Sequence, residues 1–222
     1  MGGLSEDQMA REVALDLPDG SYVNLGIGLP TQVASRIPAD REVVLHSENG
    51  VLGLGPQPPE GTEDWDLIDA GKHPATLVLG GSYISHADSF CVIRGAHLDV
   101  AVLGAFEVSS HGDLANWSTG TGGVPAVGGA MDLAVGARSV WVMTRHTTRD
   151  GSPKLVVDCS LPLTGQAVVS RVYTDLGIFD VCDGTFVACG LIEGMTIDDI
   201  RLRTAAPVEL AGSWARLPRH PG

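Results

Sequence analysis

The chain has 222 residues, 44% of them hydrophobic, and a net charge of −13, which is enough for one domain with a substantial core. So acidic a balance argues against nucleic acid and anionic membrane surfaces as partners, because both bind through basic footprints. No run approaches the ~18 apolar residues of a membrane span, and the N-terminus carries neither a basic region nor an apolar core, so a cytoplasmic protein is expected.

In chain order, Ser5-x-x-Gln8 forms a capping box, flanked by Leu4 and Met9 as a hydrophobic staple. With Val13 and Leu17 continuing the apolar stripe, it predicts a helix over 6–16 that Pro18-Asp19-Gly20 stops. A strand over 22–25 then opens into Gly26-Ile27-Gly28-Leu29-Pro30, and Pro30 suits the start of a helix over 31–37. Gly26-x-Gly28 lacks the third glycine of a dinucleotide fingerprint, since position 31 is Thr. These glycines read as a close backbone approach beneath the loop at 47–50.

That loop follows an apolar run, Val43-Val44-Leu45, and opens with Ser47-Glu48-Asn49-Gly50, a strand breaking into turn chemistry. Open α/β sheets place their ligands at the carboxyl ends of strands. A solvated Glu in a tight turn is one reading of Glu48. A nucleophile is the other, and it is favoured by the apolar, glycine-studded stretch of Val51 to Pro56 that follows.

Residues 56–66 read as a polar, proline-rich surface loop. Further strands are expected over 75–79, 100–103, 140–143, 155–157 and 178–181, the first three apolar enough to be buried on both faces. Between them, 108–125 reads as a long irregular segment, a kind of loop that is usually functional. A short helix is expected over 132–138. Thr196 and the following Asp198 and Asp199 mark the start of a helix over 197–204. One domain over 1–204 and a C-terminal tail over 205–222 complete the reading. The four cysteines, at 91, 159, 182 and 189, have no pairing or zinc spacing, and the seven histidines are dispersed, so no metal is expected. Alternating strands and short helices predict a single three-layer α/β domain with a largely parallel sheet.

Leu45-His46-Ser47-Glu48-Asn49-Gly50-Val51-Leu52-Gly53 resembles the signature of the second of the two subunits of class I 3-oxoacid coenzyme A transferases. Asn24-Leu25-Gly26-Ile27-Gly28-Leu29-Pro30, Ile93-Arg94-Gly95-Ala96-His97, Gly112 to Trp117, Gly128 to Asp132 and Leu161 to Gly165 resemble further segments of that family, in family order, over roughly residues 5–204. The resemblance implies the fold shared by coenzyme A transferases and some sugar-phosphate isomerases. It implies Glu48 as covalent nucleophile and Gly129 as the oxyanion-hole glycine. Asn49, Gly50 and Gly128 would shape the substrate site. From the residues alone, Gly128 and Gly129 fit a turn or packing role equally well. Arg94 and His97 read either as anion contacts or, in the favoured reading for Arg94, as structural groups that pin a turn; Asp113, Asn116 and Trp117 read as loop-ordering groups rather than catalysts. Ala96 departs from the family, which usually has a second Gly there.

The implied reaction moves coenzyme A from succinyl-coenzyme A to a 3-oxoacid through a glutamyl–coenzyme A thioester, with the coenzyme A thioester as substrate and no further cofactor. The expected partner is the first subunit of the same transferase, in a hetero-oligomer. Gly122 to Gly136 resembles the 3-oxoadipate branch of the family more than the acetoacetate branch, which makes 3-oxoadipate the expected acceptor and acetoacetate the next. The competing readings are an acyl-coenzyme A hydrolase or isomerase of the same fold, or a non-catalytic ligand-binding chain.

Overall fold

The computed structural model describes residues 2–120 and 127–218. Helix α1 (Glu6–Asp16) begins at the predicted capping box: Ser5 Oγ accepts from Gln8 N–H while Gln8 Oε1 accepts from Ser5 N–H, an arrangement worth about 1 kcal/mol. Its Met9, Ala10, Val13 and Ala14 are buried, together with Leu4 before it. Strand β1 (Ser21–Leu25) follows, then a 3-10 helix (Leu29–Arg36) in place of the α-helix expected over 31–37. Next come β2 (Val43–Ser47), β3 (Val51–Leu54), β4 (Leu77–Tyr83), α2 (His86–Arg94) and β5 (Val100–Leu103). The middle of the chain forms β6 (Glu107–Ser109), β7 (Leu114–Ala115), α3 (Ala130–Gly136), β8 (Ser139–Met143) and β9 (Leu155–Val156). The last third forms β10 (Val169–Tyr173), β11 (Gly177–Cys182), β12 (Thr185–Ile192), α4 (Ile197–Arg201) and β13 (Val208–Leu217).

Ten strands make one sheet in the order β13-β12-β11-β10-β8-β5-β1-β2-β3-β4. Its centre, β10-β8-β5-β1-β2, is parallel throughout. Antiparallel hairpins extend it on both sides, β2-β3-β4 at one edge and β10-β11-β12 toward the other. All four residues of β5 and the last four of β8 are buried. Successive strand residues point to opposite faces, so these strands are covered on both. Helix α1 packs on the 3-10 helix and against β8 and β10, while α2 packs on α3, which lies against β5. This is the expected three-layer α/β domain, with β5 and β8 at its core.

Several expectations are corrected. Residues 208–217, read as part of a tail, form β13, paired in parallel with β12. Its Val208 and Leu217 are buried while most residues between them face solvent, so no apolar run or alternation marks it. Strand β4, expected to be buried on both faces, is the sheet edge, and its Leu79 is fully exposed. An apolar run reports propensity, and position in the sheet comes from pairing the sequence does not display. Within the segment read as irregular, β6 and β7 join β9 in a small three-stranded sheet. Gly26 abuts Val102 and Leu103 of β5, so its close approach is to the sheet centre and not to the loop at 47–50. Helix α4 is shorter than expected, and α3 starts two residues earlier. Helix α2 and strands β3, β10 and β12 have no predicted counterpart.

Candidate active site

Parallel strands β8, β5, β1 and β2 all end on the same edge of the sheet. Chain leaves β1 toward β2 on one side, while β5 lies on the other, which is the topological switch where open α/β sheets bind ligands. A cavity of about 570 Å³ opens there. It is lined by Asn24 to Ile27 at the end of β1, Ser47 and Glu48 at the end of β2, Leu103 to Phe106 at the end of β5, and Met143 to Arg145 at the end of β8. Asn116, Trp117, Val127, Ala130 and Lys154 are among the residues of its walls.

Glu48 occupies the first position of the hairpin loop between β2 and β3. The turn closes through Gly50 N–H to the Ser47 carbonyl, 3.0 Å. Gly50 has φ +113°, and a Cβ there would overlap the Ile84 carbonyl oxygen, so both conformation and space require glycine. The loop is fastened from outside as well. Asn49 Nδ2 donates to the Ile68 carbonyl at 2.7 Å, Ala70 N–H donates to Ser47 Oγ at 2.9 Å, and Ile84 N–H donates to the Gly50 carbonyl at 2.9 Å.

Beneath the nucleophile candidate lies a buried polar network. Asn24 Nδ2 donates both to the His46 carbonyl and to His46 Nδ1, each at 3.1 Å. The carbonyl contact identifies this atom as the amide nitrogen, so Nδ1 accepts and the imidazole proton sits on Nε2. From there it donates to Ser89 Oγ, 2.8 Å away on α2. Burial lowers the His46 pKa to about 4, which keeps the ring neutral and its hydrogen-bond pattern fixed.

Loss of water on partial burial raises the Glu48 carboxyl above its ordinary value; interaction with His86 lowers it, and the charge of Asp132 raises it. On its inner side the carboxylate rests on Gly129, the N-cap of α3: a Cβ on Gly129 would overlap Glu48 Oε2 and stand 2.9 Å from Cδ. Neither Gly128 N–H nor Gly129 N–H has a backbone acceptor among the described residues. A partly desolvated carboxylate lining this cavity can attack an electrophilic carbonyl, and backbone N–H groups beside it can stabilise the oxyanion that forms.

The chain belongs to the coenzyme A transferase family. The family model described as coenzyme A transferase matches residues 7–203. Among relatives, the second subunit of 3-oxoadipate CoA-transferase of Acinetobacter baylyi is 52% identical over 204 residues, covering 91% of this chain and 94% of that one. The protein of the same name from Pseudomonas putida is 54% identical over 206 residues, covering 92% and 96%. The second subunit of a probable succinyl-CoA:3-ketoacid coenzyme A transferase of Bacillus subtilis is 48% identical, covering 93% and 95%. The fold is that of an acyl-CoA transferase (YdiF) from Escherichia coli O157:H7, with TM-score 0.75 at 16% identity; the match spans 95% of this chain and 42% of that one.

Against this family background, the structure brings Glu48 and Gly129 into contact. Asn49 and Gly50 hold the hairpin, their polar groups committed to Ile68, Ser47 and Ile84. Gly128 is exposed. Arg94 pairs with Asp132 at 2.7 Å and lies over the Phe90 ring, so it ties α2 to α3. Asp113 accepts from Ser109 Oγ and Ala167 N–H and orders its loop, as does Asn116 through Gly104 and Thr164. Sequence reasoning does not single out Asn24, His46, Ser89 or Lys154. Asn24 and His46 are polar residues inside strand runs, a detectable signal, but their pairing depends on the β1–β2 register. No group of three His, Cys, Asp or Glu side chains among the described residues is placed to hold a metal ion, and no helix among them is long and apolar enough to cross a membrane.

Proposed function

We propose that this transferase chain moves coenzyme A from succinyl-coenzyme A to a 3-oxoacid, 3-oxoadipate before acetoacetate, by double displacement at Glu48 and in complex with the first subunit of the same enzyme. The observation that carries the reading is the Glu48 carboxylate seated against Gly129 in the lining of the strand-end cavity. The names of the relatives support the acceptor class and the partner. The glycine-rich segment that favours 3-oxoadipate, 122–127, lies outside the described residues except for Val127.

In the first displacement a Glu48 oxygen attacks the donor thioester carbonyl. The tetrahedral oxyanion collapses, the carbon–sulfur bond breaks, and coenzyme A thiolate leaves behind an acyl–glutamyl anhydride. Thiolate then attacks the glutamyl carbonyl, the donor acid departs as carboxylate, and a glutamyl thioester remains. The acceptor carboxylate displaces the thiolate to form a second anhydride. Attack of thiolate on the acceptor's acyl carbonyl restores Glu48 and completes the new thioester. No net proton moves.

Each tetrahedral stage develops a negative oxygen, which the N–H groups at Gly128 and Gly129 are suited to receive. The hydrated carboxylate is a weak nucleophile; partial desolvation by the cavity walls makes it stronger and keeps water from the anhydride. The neutral Asn24–His46–Ser89 network fixes the base of the hairpin without placing a second charge beside the developing one.

The test is to incubate the chain, reconstituted with its first-subunit partner, with succinyl-coenzyme A alone and digest it. A coenzyme A adduct on the peptide containing Glu48 is expected. Steady turnover with no adduct, or an adduct elsewhere, rejects Glu48 as the carrier.

A further inference from the structure

The cavity that holds Glu48 has two other charged liners, Arg145 and Lys154. Arg145 is already neutralised, with its guanidinium 3.3 Å from Glu6 Oε1 and 3.8 Å from Asp175 Oδ2. Lys154 is different. It is one of only two lysines in the sequence, it is half-buried, and no carboxylate among the described residues forms an ion pair with it. Its ammonium donates to the Ala105 carbonyl at 3.1 Å and to Thr144 Oγ1 at 2.9 Å, and an ammonium has three donors. One N–H is left over. Partial burial lowers the Lys154 pKa, with Asp175 opposing the shift, so an anion that entered the cavity would relieve the cost of desolvating this charge.

Position gives the anion's length. Ala105 follows β5 and Thr144 follows β8, two and three strands from β2; at roughly 4.8 Å per strand, Lys154 stands about 10–14 Å along the sheet edge from the strand that bears Glu48. A six-carbon diacid joined to the glutamate through one end spans about 6 Å to its far carboxyl carbon. The glutamate side chain and a hydrogen bond at the far end supply most of the remainder. A four-carbon monoacid has nothing to place there.

We infer that Lys154 binds the distal carboxylate of a dicarboxylic 3-oxoacid whose other carboxyl group reacts at Glu48, and so sets the preference for diacid over monoacid acceptors. The inference rests on the proposed transfer reaction and names its substrate class. Lys154 sits on the segment before β9, far in sequence from Glu48.

The experiment compares kcat/KM for 3-oxoadipate and acetoacetate in the reconstituted complex, wild type and Lys154→Gln. Lys154→Gln should lower the value for 3-oxoadipate by about 10- to 100-fold, the worth of a charged hydrogen bond, and change that for acetoacetate by less than about threefold, within the scatter of such measurements. An equal fall for both acids would make Lys154 a strut between the ends of β5 and β8 and overturn the inference. So would unchanged discrimination in the variant. A second measurement needs no variant: wild-type complex given 3-oxohexanoate, the same chain without the far carboxylate, should use it at least tenfold less well than 3-oxoadipate. Equal use overturns the inference even if Lys154→Gln fails to fold. Formation of the glutamyl adduct from acetoacetyl-coenzyme A in the variant shows that transfer itself survives. Its absence in wild type would instead sink the transfer reading.

Discussion

Two short motifs stand out in this chain, Ser47-Glu48-Asn49-Gly50 and Ile93-Arg94-Gly95-Ala96-His97, and they do opposite kinds of work. Both are turns built around a residue with positive φ, Gly50 at +113° and Ala96 at +56°. The first is constrained from every side: a carbonyl blocks any Cβ on Gly50, Glu48 rests on Gly129, and a buried histidine lies underneath. The second closes on itself. His97 N–H donates to the Val92 carbonyl and Ala96 N–H to the Ile93 carbonyl, a Schellman ending to α2. Resemblance to a family marks both equally; only the surroundings separate a turn that holds a partly desolvated carboxylate against Gly129 from one that ends a helix.

The largest way to break the contrast is at Glu48. Glu48→Gln should lower transfer by on the order of 10⁴-fold or more, as removal of a covalent nucleophile does. It should also make the chain more stable at neutral pH. The folded-state pKa is raised, so the carboxyl contributes fully below its unfolded pKa and that contribution is lost as pH rises through the folded value. Thermal melts should therefore show a higher Tm for the variant at pH 7.5 and no gain near pH 4. A variant that loses activity without the pH-dependent gain would mean that Glu48 is not desolvated.

Next in size is Gly129→Ala. Gly129 has φ −79° and ψ 0°, a conformation open to alanine, so the fold should survive. The added Cβ meets the Glu48 carboxylate, and displacing it from its seat beside the Gly129 backbone should cost about 10²–10³-fold in kcat with little change in melting temperature. Near-normal turnover would remove Gly129 from the oxyanion role.

How much of this is legible in the sequence follows from what each feature depends on. The α1 capping box, the buried β5 and β8 and the Glu48 turn depend on neighbouring residues, and all are readable. The Glu48–Gly129 contact joins residues far apart in the chain, and the family resemblance, not the local pattern, pairs them. Asn24 meeting His46 requires the parallel β1–β2 register, in which these residues stand opposite each other. Lys154 reaches the cavity because β9 is anchored to β6, a pairing of two very short strands with almost no sequence signal. Strand β13 has neither an apolar run nor alternation, so its parallel pairing with β12 cannot be read locally.

A smaller effect tests what lies under the active turn. His46 and His146 are both buried, with pKa values lowered to about 4 by loss of water, and for His146 also by the charge of Arg203. A base with a depressed folded pKa contributes stability that is complete above its unfolded pKa near 6.5 and is lost as pH falls toward 4. Each ring accounts for about 3 kcal/mol over that window. His46→Gln and His146→Gln should each flatten the acid limb of urea-measured stability. Only His46→Gln should also lower kcat, because only His46 braces the Glu48 hairpin; His146 joins Thr174 to Thr204. Equal effects on kcat would mean that the network under Glu48 is ordinary core.

The smallest effect lies in the motif that ends α2. Ala96 occupies the left-handed position after the helix, where family members usually have glycine. An L-residue with a Cβ pays roughly 1–2 kcal/mol there, while glycine returns about 0.4–1 kcal/mol of that through the greater freedom of the unfolded chain. Ala96→Gly should therefore stabilise the fold by up to about 1 kcal/mol, a rise of about 2–4 °C in Tm for a chain of this size. Because the Schellman hydrogen bonds use only backbone groups, the helix end should keep its geometry, and Arg94 its pairing with Asp132. Transfer rates should stay at the wild-type level. If Ala96→Gly changed kcat instead, α2 would be transmitting the geometry of its last turn through Ser89 to His46, and the self-contained turn would belong to the active site after all.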